Sequence, residues 1–182
     1  MTPLTRLLAA LLSALLAAAM LTAPGTAASV APAGPLEITC TPPSGNIATF
    51  TPPLTLTPQT VTVANSATYS PCVSATQPAV TSGTRSNLNT QTRSCLDLLT
   101  SGTVTFTITW NTGQTSTVSG TTTTSTAGAA IVFTTTGTVT TGLFAGSSVA
   151  QVNTAPSADI LLCTAGLGTV SGVTSLVTLT IT

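Results

Sequence analysis

The chain of 182 residues contains no histidine and no lysine, and its only charged side chains are Arg6, Arg85 and Arg93 against Glu37, Asp97 and Asp159. Each absence removes a chemistry. Without histidine, the Ser-His-Asp and Cys-His nucleophile arrangements and imidazole metal sites are excluded. Without lysine, Schiff-base chemistry and Ser-Lys variants are excluded as well. Glycine-rich phosphate motifs of the kind that open a helix are missing. A charged fraction of 3%, against roughly 25% in ordinary soluble domains, leaves no basic patch, so no nucleic-acid partner is expected. Aromatic residues are scarce too: one Trp, one Tyr and four Phe. A carboxylate pair drawn from Glu37, Asp97 and Asp159 remains conceivable for cleaving a glycosidic bond, but that reaction needs a cleft with aromatic walls. The carboxylates read instead as isolated surface groups. The expectation is a protein that is not an enzyme, with no catalytic residue, no cofactor and no metal site.

What is present begins at the N-terminus. Arg6 precedes an apolar run from Leu7 to Leu21, broken only by Ser13, and Pro24-Gly25 and the small residues Thr26, Ala27 and Ala28 follow. A positive start, an apolar run and a small-residue cleavage site predict a secretory signal peptide over residues 1–28. The run of about 15 residues is shorter than the roughly 20 that span a bilayer, so no membrane insertion is expected after cleavage. Residues 29–35 read as a flexible lead-in and residues 36–182 as one secreted, extracellular domain. High hydrophobicity with almost no charge is the composition of a folded chain rather than a disordered one. In that compartment Cys40, Cys72, Cys95 and Cys163 read as two disulfides. Of three pairings, Cys40–Cys72 and Cys95–Cys163 is favoured, because sequential pairing suits a chain that pairs neighbouring strands. Each loop is worth about 4 kcal/mol in the chain-entropy picture. No two cysteines lie two to four residues apart, which disfavours zinc.

Beyond the lead-in the dominant period is two. Val104, Phe106, Ile108 and Trp110 alternate with Thr103, Thr105, Thr107 and Thr109, a half-buried strand with threonine facing water. Leu36–Cys40, Thr60–Val63 and Val177–Thr182 repeat the pattern. Turn signals separate further strands over 115–120, 130–140, 147–153 and 158–164. The prolines at 42–43, 52–53 and 58 fit sheet edges better than centres. The total is roughly eight to ten strands and no amphipathic helix, with one short helical turn at Cys95–Leu99. An all-β, antiparallel, immunoglobulin-like β-sandwich is the first expectation and a closed meander β-barrel the alternative. Trp110 is expected to plug one end of the core.

Residues 76–94 are polar and carry both remaining arginines, which reads as a long loop. A binding surface, if the loop forms one, comprises Arg85, Asn87, Asn89, Gln91 and Arg93, since arginine can grip a carboxylate, a sugar or a protein partner. The Thr-x-Thr runs invite comparison with ice-binding ladders, but no fixed repeat period accompanies them. They do leave sheet edges without lysine gatekeepers, so self-association is possible.

The segments Thr-Ile-Thr-Trp-Asn-Thr-Gly-Gln-Thr-Ser-Thr (107–117) and Gly137 to Gly146, followed by Cys163, resemble a group of small exported actinobacterial proteins with a Thr/Ser/Gly-rich β domain. The resemblance covers most of residues 36–182, and its motifs are turns and strands that identify no active site. In composition the chain also resembles the actinomycete enediyne-carrier apoproteins of the neocarzinostatin type. That likeness implies a secreted, immunoglobulin-like domain with two disulfides. Two functions follow as expectations. The first is a non-catalytic structural or interaction domain at the cell exterior, meeting protein or cell-wall partners. The alternative is an extracellular carrier that holds a small-molecule ligand in an apolar pocket.

Overall fold

A computed structural model describes residues 36–182, within which the two-residue period is realised as ten antiparallel strands. The signal peptide and lead-in expected over residues 1–35 lie outside the described residues. The strands are β1 (Ile38–Cys40), β2 (Gly45–Leu54), β3 (Gln59–Tyr69), β4 (Cys72–Ser74), β5 (Gly83–Arg93), β6 (Gly102–Trp110), β7 (Thr115–Ala127), β8 (Ala130–Gly142), β9 (Ser148–Pro156) and β10 (Val170–Ile181). A 3-10 turn, Cys95–Leu99, follows β5 and a short helix, α1 (Ala158–Thr164), follows β9.

Eight of the strands close into a barrel in the order β2-β3-β5-β6-β7-β8-β9-β10, with β10 returning to β2. Closure depends on β10 using its two edges over different stretches. Residues Leu176–Ile181 pair with β9, and residues Val170–Leu176 pair with β2. The immunoglobulin-like sandwich expected first is therefore corrected to the meander barrel. A sandwich needs two sheets, and here one sheet meets itself. Alternation alone could not separate the two, because both bury one face of every strand. Pro52 and Pro53 lie where the β2–β3 ladder has ended at Thr51 and the β2–β10 register shifts, positions where a missing N–H costs no ladder bond.

The segment 158–164, expected as a strand, is helical. Its Ile-Leu-Leu-Cys run does not alternate; Ile160 and Cys163 are buried three residues apart, while Leu161 and Leu162 face outward. Three-residue spacing is a helix period. The polar segment 76–94 also departs from expectation, since residues 83–93 form β5 rather than a loop. The ladder from Tyr69↔Gly83 to Gln59↔Arg93 holds it against β3 along its whole length.

The interior is layered along the barrel axis. One apolar plug gathers Ile38, Tyr69, Ile108, Trp110, Val118, Val139, Val149, Leu179 and Ile181, among others. Trp110 is 2% exposed, stands edge-on to Phe144 at 5.9 Å and donates its indole N–H to Ser116 Oγ at 2.8 Å. The second plug gathers Phe50, Leu54, Val61, Ile131, Ala155, Ile160 and Val170. Each plug is fastened by a disulfide, Cys40–Cys72 joining β1 to β4 at the first and Cys95–Cys163 joining the 3-10 turn to α1 at the second. This is the connectivity favoured by the sequence.

Candidate functional site

Between the plugs the inward-facing positions turn polar, strand by strand. Along β9 the inward residues run Val149, Gln151, Asn153, Ala155, and along β3 they run Val61, Val63, Asn65, Ala67, Tyr69. Asn46 of β2, Thr122 of β7, Thr135 of β8 and Ser175 of β10 continue the band. The band encloses a cavity of about 580 Å³, whose apolar lining includes Phe50, Phe106 and Phe133. That volume lies within the range of pockets for small organic ligands, roughly 300–1,000 Å³.

One strand lines the cavity with polar groups along its whole length. Arg85, Asn87, Asn89, Gln91 and Arg93 occupy alternate positions of β5, and all five line the cavity. The five residues singled out as a loop surface are thus one face of one strand, held together by backbone geometry rather than by loop conformation. The opposite face carries Thr84, Ser86, Leu88, Thr90 and Thr92, with Leu88 exposed. Thr90 meets Thr62 of β3 through their hydroxyls at 3.2 Å, and Thr107 meets Thr117 in the same way at 3.1 Å. These outward threonines wrap a curved wall.

The cavity reaches the exterior beside β5. Only two residue pairs, Gly83↔Trp110 and Thr84↔Thr109, join β5 to β6. Beyond them β5 pairs with β3 and β6 pairs with β7, and the two strands part. The cavity lining includes consecutive residues of β6, Gly102 to Phe106, from both its faces. The cavity therefore wraps around the free edge of β6, and the parted seam is a slit in the barrel wall. Gly83 makes the joined end possible. A Cβ there would lie 2.7 Å from the Trp110 ring and 2.9 Å from the Ile108 side chain, so only glycine lets β5 approach so closely.

Arg85 is half-buried inside the band. Its Nη2 donates to Asn46 Oδ1 at 3.3 Å and to Asn65 Oδ1 at 3.2 Å, and its guanidinium lies 4.2 Å from the centre of the Phe106 ring. Next to it, Tyr69 donates its hydroxyl to Gln151 Oε1 at 2.9 Å, and Gln151 Nε2 donates to Asn153 Oδ1 at 2.7 Å. Burial pushes the Tyr69 phenol above its ordinary pKa, with the positive charge of Arg85 pulling the other way. The phenol stays a neutral donor at physiological pH. No buried side-chain nitrogen or oxygen among the described residues lacks a hydrogen-bond partner. At the far end of β5, Asp97 accepts from the Ser94 backbone N–H at 2.6 Å and from Ser94 Oγ at 2.9 Å. These bonds, the backbone one foremost, hold its carboxyl below the usual range, and Arg93 adds to the effect.

Of the three carboxylates weighed for glycoside cleavage, only Asp97 lines the cavity. Glu37 accepts from the Thr76 hydroxyl near β4, and Asp159 begins α1. A second concavity, about 890 Å³, lies where the β7–β8 turn meets β2, β9 and β10. Small residues with Ile47 and Leu176 line it, and no charged side chain does. Sequence reasoning did not single out Asn46, Asn65, Tyr69, Gln151 or Asn153. The signal was available: each is a polar residue in the inward register of an otherwise apolar alternation.

Comparison with protein-family models, curated proteins and solved structures finds no match to this chain.

Proposed function

We propose that the protein is exported and binds a small organic molecule in the cavity between its two plugs, taking it up through the slit between β5 and β6. The observation that supports this reading is the cavity itself: about 580 Å³ in the barrel's midsection, with three phenylalanines on one part of its wall and five polar side chains of β5 on another. A barrel stabilised by its interior alone would fill that space. The lining is amphipathic, so the purely apolar pocket of the carrier reading gives way to one that grips a polar group as well. The interaction-domain expectation stays as the second reading, and the five β5 side chains it named are the ones that line this cavity. Export is supported by the signal-like leader and by two disulfides, which persist in oxidising compartments. Among the described residues no helix is long and apolar enough to cross a membrane.

Native mass spectrometry of the protein secreted by its own host is the direct test, run beside an Asn89→Trp variant. Asn89 is exposed to the cavity, so an indole there occupies ligand space without disturbing either plug. A bound small molecule in the wild type that is lost in the variant supports the proposal. Ligand-free wild type, or equal retention by both, overturns it.

A further inference from the structure

We propose that the ligand is an organic carboxylate and that Arg85 is the group that reads it. This rests on the cavity being the binding site. The argument begins with charge. Arg85 is fixed by two neutral amide oxygens and an aromatic face, none of which cancels its positive charge. The chain has three acids, and each is engaged elsewhere: Glu37 with Thr76, Asp97 with Ser94, and Asp159 in the first turn of α1. Arg93, the other arginine of the strand, has Asp97 close enough to lower the carboxyl's pKa. Arg85 has no such companion.

Geometry narrows the anion. The Nη2 contacts to Asn46 and Asn65, together with the Phe106 ring, fix the guanidinium plane, and among the described residues Nε and Nη1 have no hydrogen-bond partner. Nε and Nη1 point to different sides of the group, so each can donate one charge-assisted N–H bond to a carboxylate oxygen. A phosphate dianion wants several cations or a nest of backbone N–H groups, and the one other cation of the lining, Arg93, lies at the far end of β5 beside Asp97. In a partly water-excluded cavity the pairing is stronger than at a surface. The rest of the lining describes the rest of the molecule. Phe50, Phe133 and Val63 offer an apolar wall for its body, and Asn87, Asn89 and Gln91 offer hydrogen bonds on the side of the slit.

The test uses two probes of one shape, 2-naphthylacetate and its neutral amide, titrated by calorimetry into the wild type and the Arg85→Met, Arg93→Met and Asn89→Trp variants. The expected result is that the wild type prefers the acid by about 10- to 100-fold, the range for a hydrogen bond to a charged group. Arg85→Met removes the preference, Arg93→Met keeps it, and Asn89→Trp abolishes binding of both probes. The acid-to-amide ratio in the wild type decides the matter even if Arg85→Met does not fold. Equal wild-type binding of acid and amide, blocked by Asn89→Trp, overturns the carboxylate inference and leaves the cavity reading standing. Saturable binding of neither probe, or binding untouched by Asn89→Trp, overturns both.

Discussion

β5 and β9 stand four places apart in the eight-strand ring and line the same cavity, yet their sequences differ in kind. The inward face of β9 runs apolar, polar, polar, apolar, with Val149 and Ala155 buried in the two plugs and Gln151 and Asn153 between them. The inward face of β5 has no apolar side chain at all; it runs from Gly83 through Arg85 to Arg93. β9 is held by ladders to both neighbours, whereas β5 is held along most of its length by β3 alone. The difference separates two tasks. Stability comes from strands that cross both plugs, and on the proposed function recognition falls to the strand that gives up its apolar face to line an opening.

The largest expected effect tests whether the disulfides respect this division. They close separations of 32 and 68 residues, so each stabilises by about 4 kcal/mol in the chain-entropy picture. Their local consequences should differ. Replacing Cys95 and Cys163 with alanine unties the 3-10 turn that follows β5, and hydrogen exchange should then rise first in β5 and that turn. Replacing Cys40 and Cys72 frees β1 and β4 at the other plug, and β5 should be no less protected than the rest of the barrel. Urea denaturation combined with exchange mass spectrometry checks both outcomes; a uniform rise in exchange in both variants would break the comparison.

A smaller effect sets plug against strand directly. Leu179 is fully buried, and Leu179→Ala should cost about 3 kcal/mol, the lost transfer energy plus the cavity left behind. Asn89→Ala in β5 removes a side chain exposed to the cavity and should change stability by less than about 0.5 kcal/mol. Equilibrium urea unfolding of the two variants reads both values. A large cost at Asn89 would mean that β5 contributes to the fold as much as β9 does.

The same contrast explains how much of the molecule was legible beforehand. Strands such as β6 and β10 announce themselves because an apolar residue recurs at every second position, and the signal is a consequence of burial. Asn87, Asn89 and Gln91 recur at the same spacing on β5, but a strand polar on both faces has no hydrophobic period, and so it reads as a loop. The chemistry of the five side chains marks them in the sequence, and only the strand places them on one face. The sandwich expectation failed for a different reason. Closure depends on β10 switching partners near Leu176, a long-range event that leaves no local mark. α1 reads as strand in the sequence because Ile160-Leu161-Leu162-Cys163 is too short for its period to be distinguished. The inward amides of β2, β3 and β9 could have been suspected, since a lone Asn or Gln in a buried register requires a partner.

The smallest expected effect sits at the end of β5, where the strand needs an anchor it does not get from apolar burial. Asp97 reaches back to the Ser94 N–H and hydroxyl, a reciprocal cap that starts the 3-10 turn. Its carboxyl titrates below the ordinary value of 3.8 in the folded protein. A depressed folded pKa means that the charged form is favoured by folding. The stabilisation is therefore present in full above the unfolded value and is lost as pH falls through the folded one. Asp97→Asn should then lower the melting temperature at pH 7 by on the order of 1 °C, because the group is only half-buried and its interactions are partly screened. As the pH is taken down through the wild-type carboxyl's own lowered pKa, the two melting temperatures should converge. A difference that persists unchanged at low pH would show that Asp97 anchors β5 by shape rather than by charge.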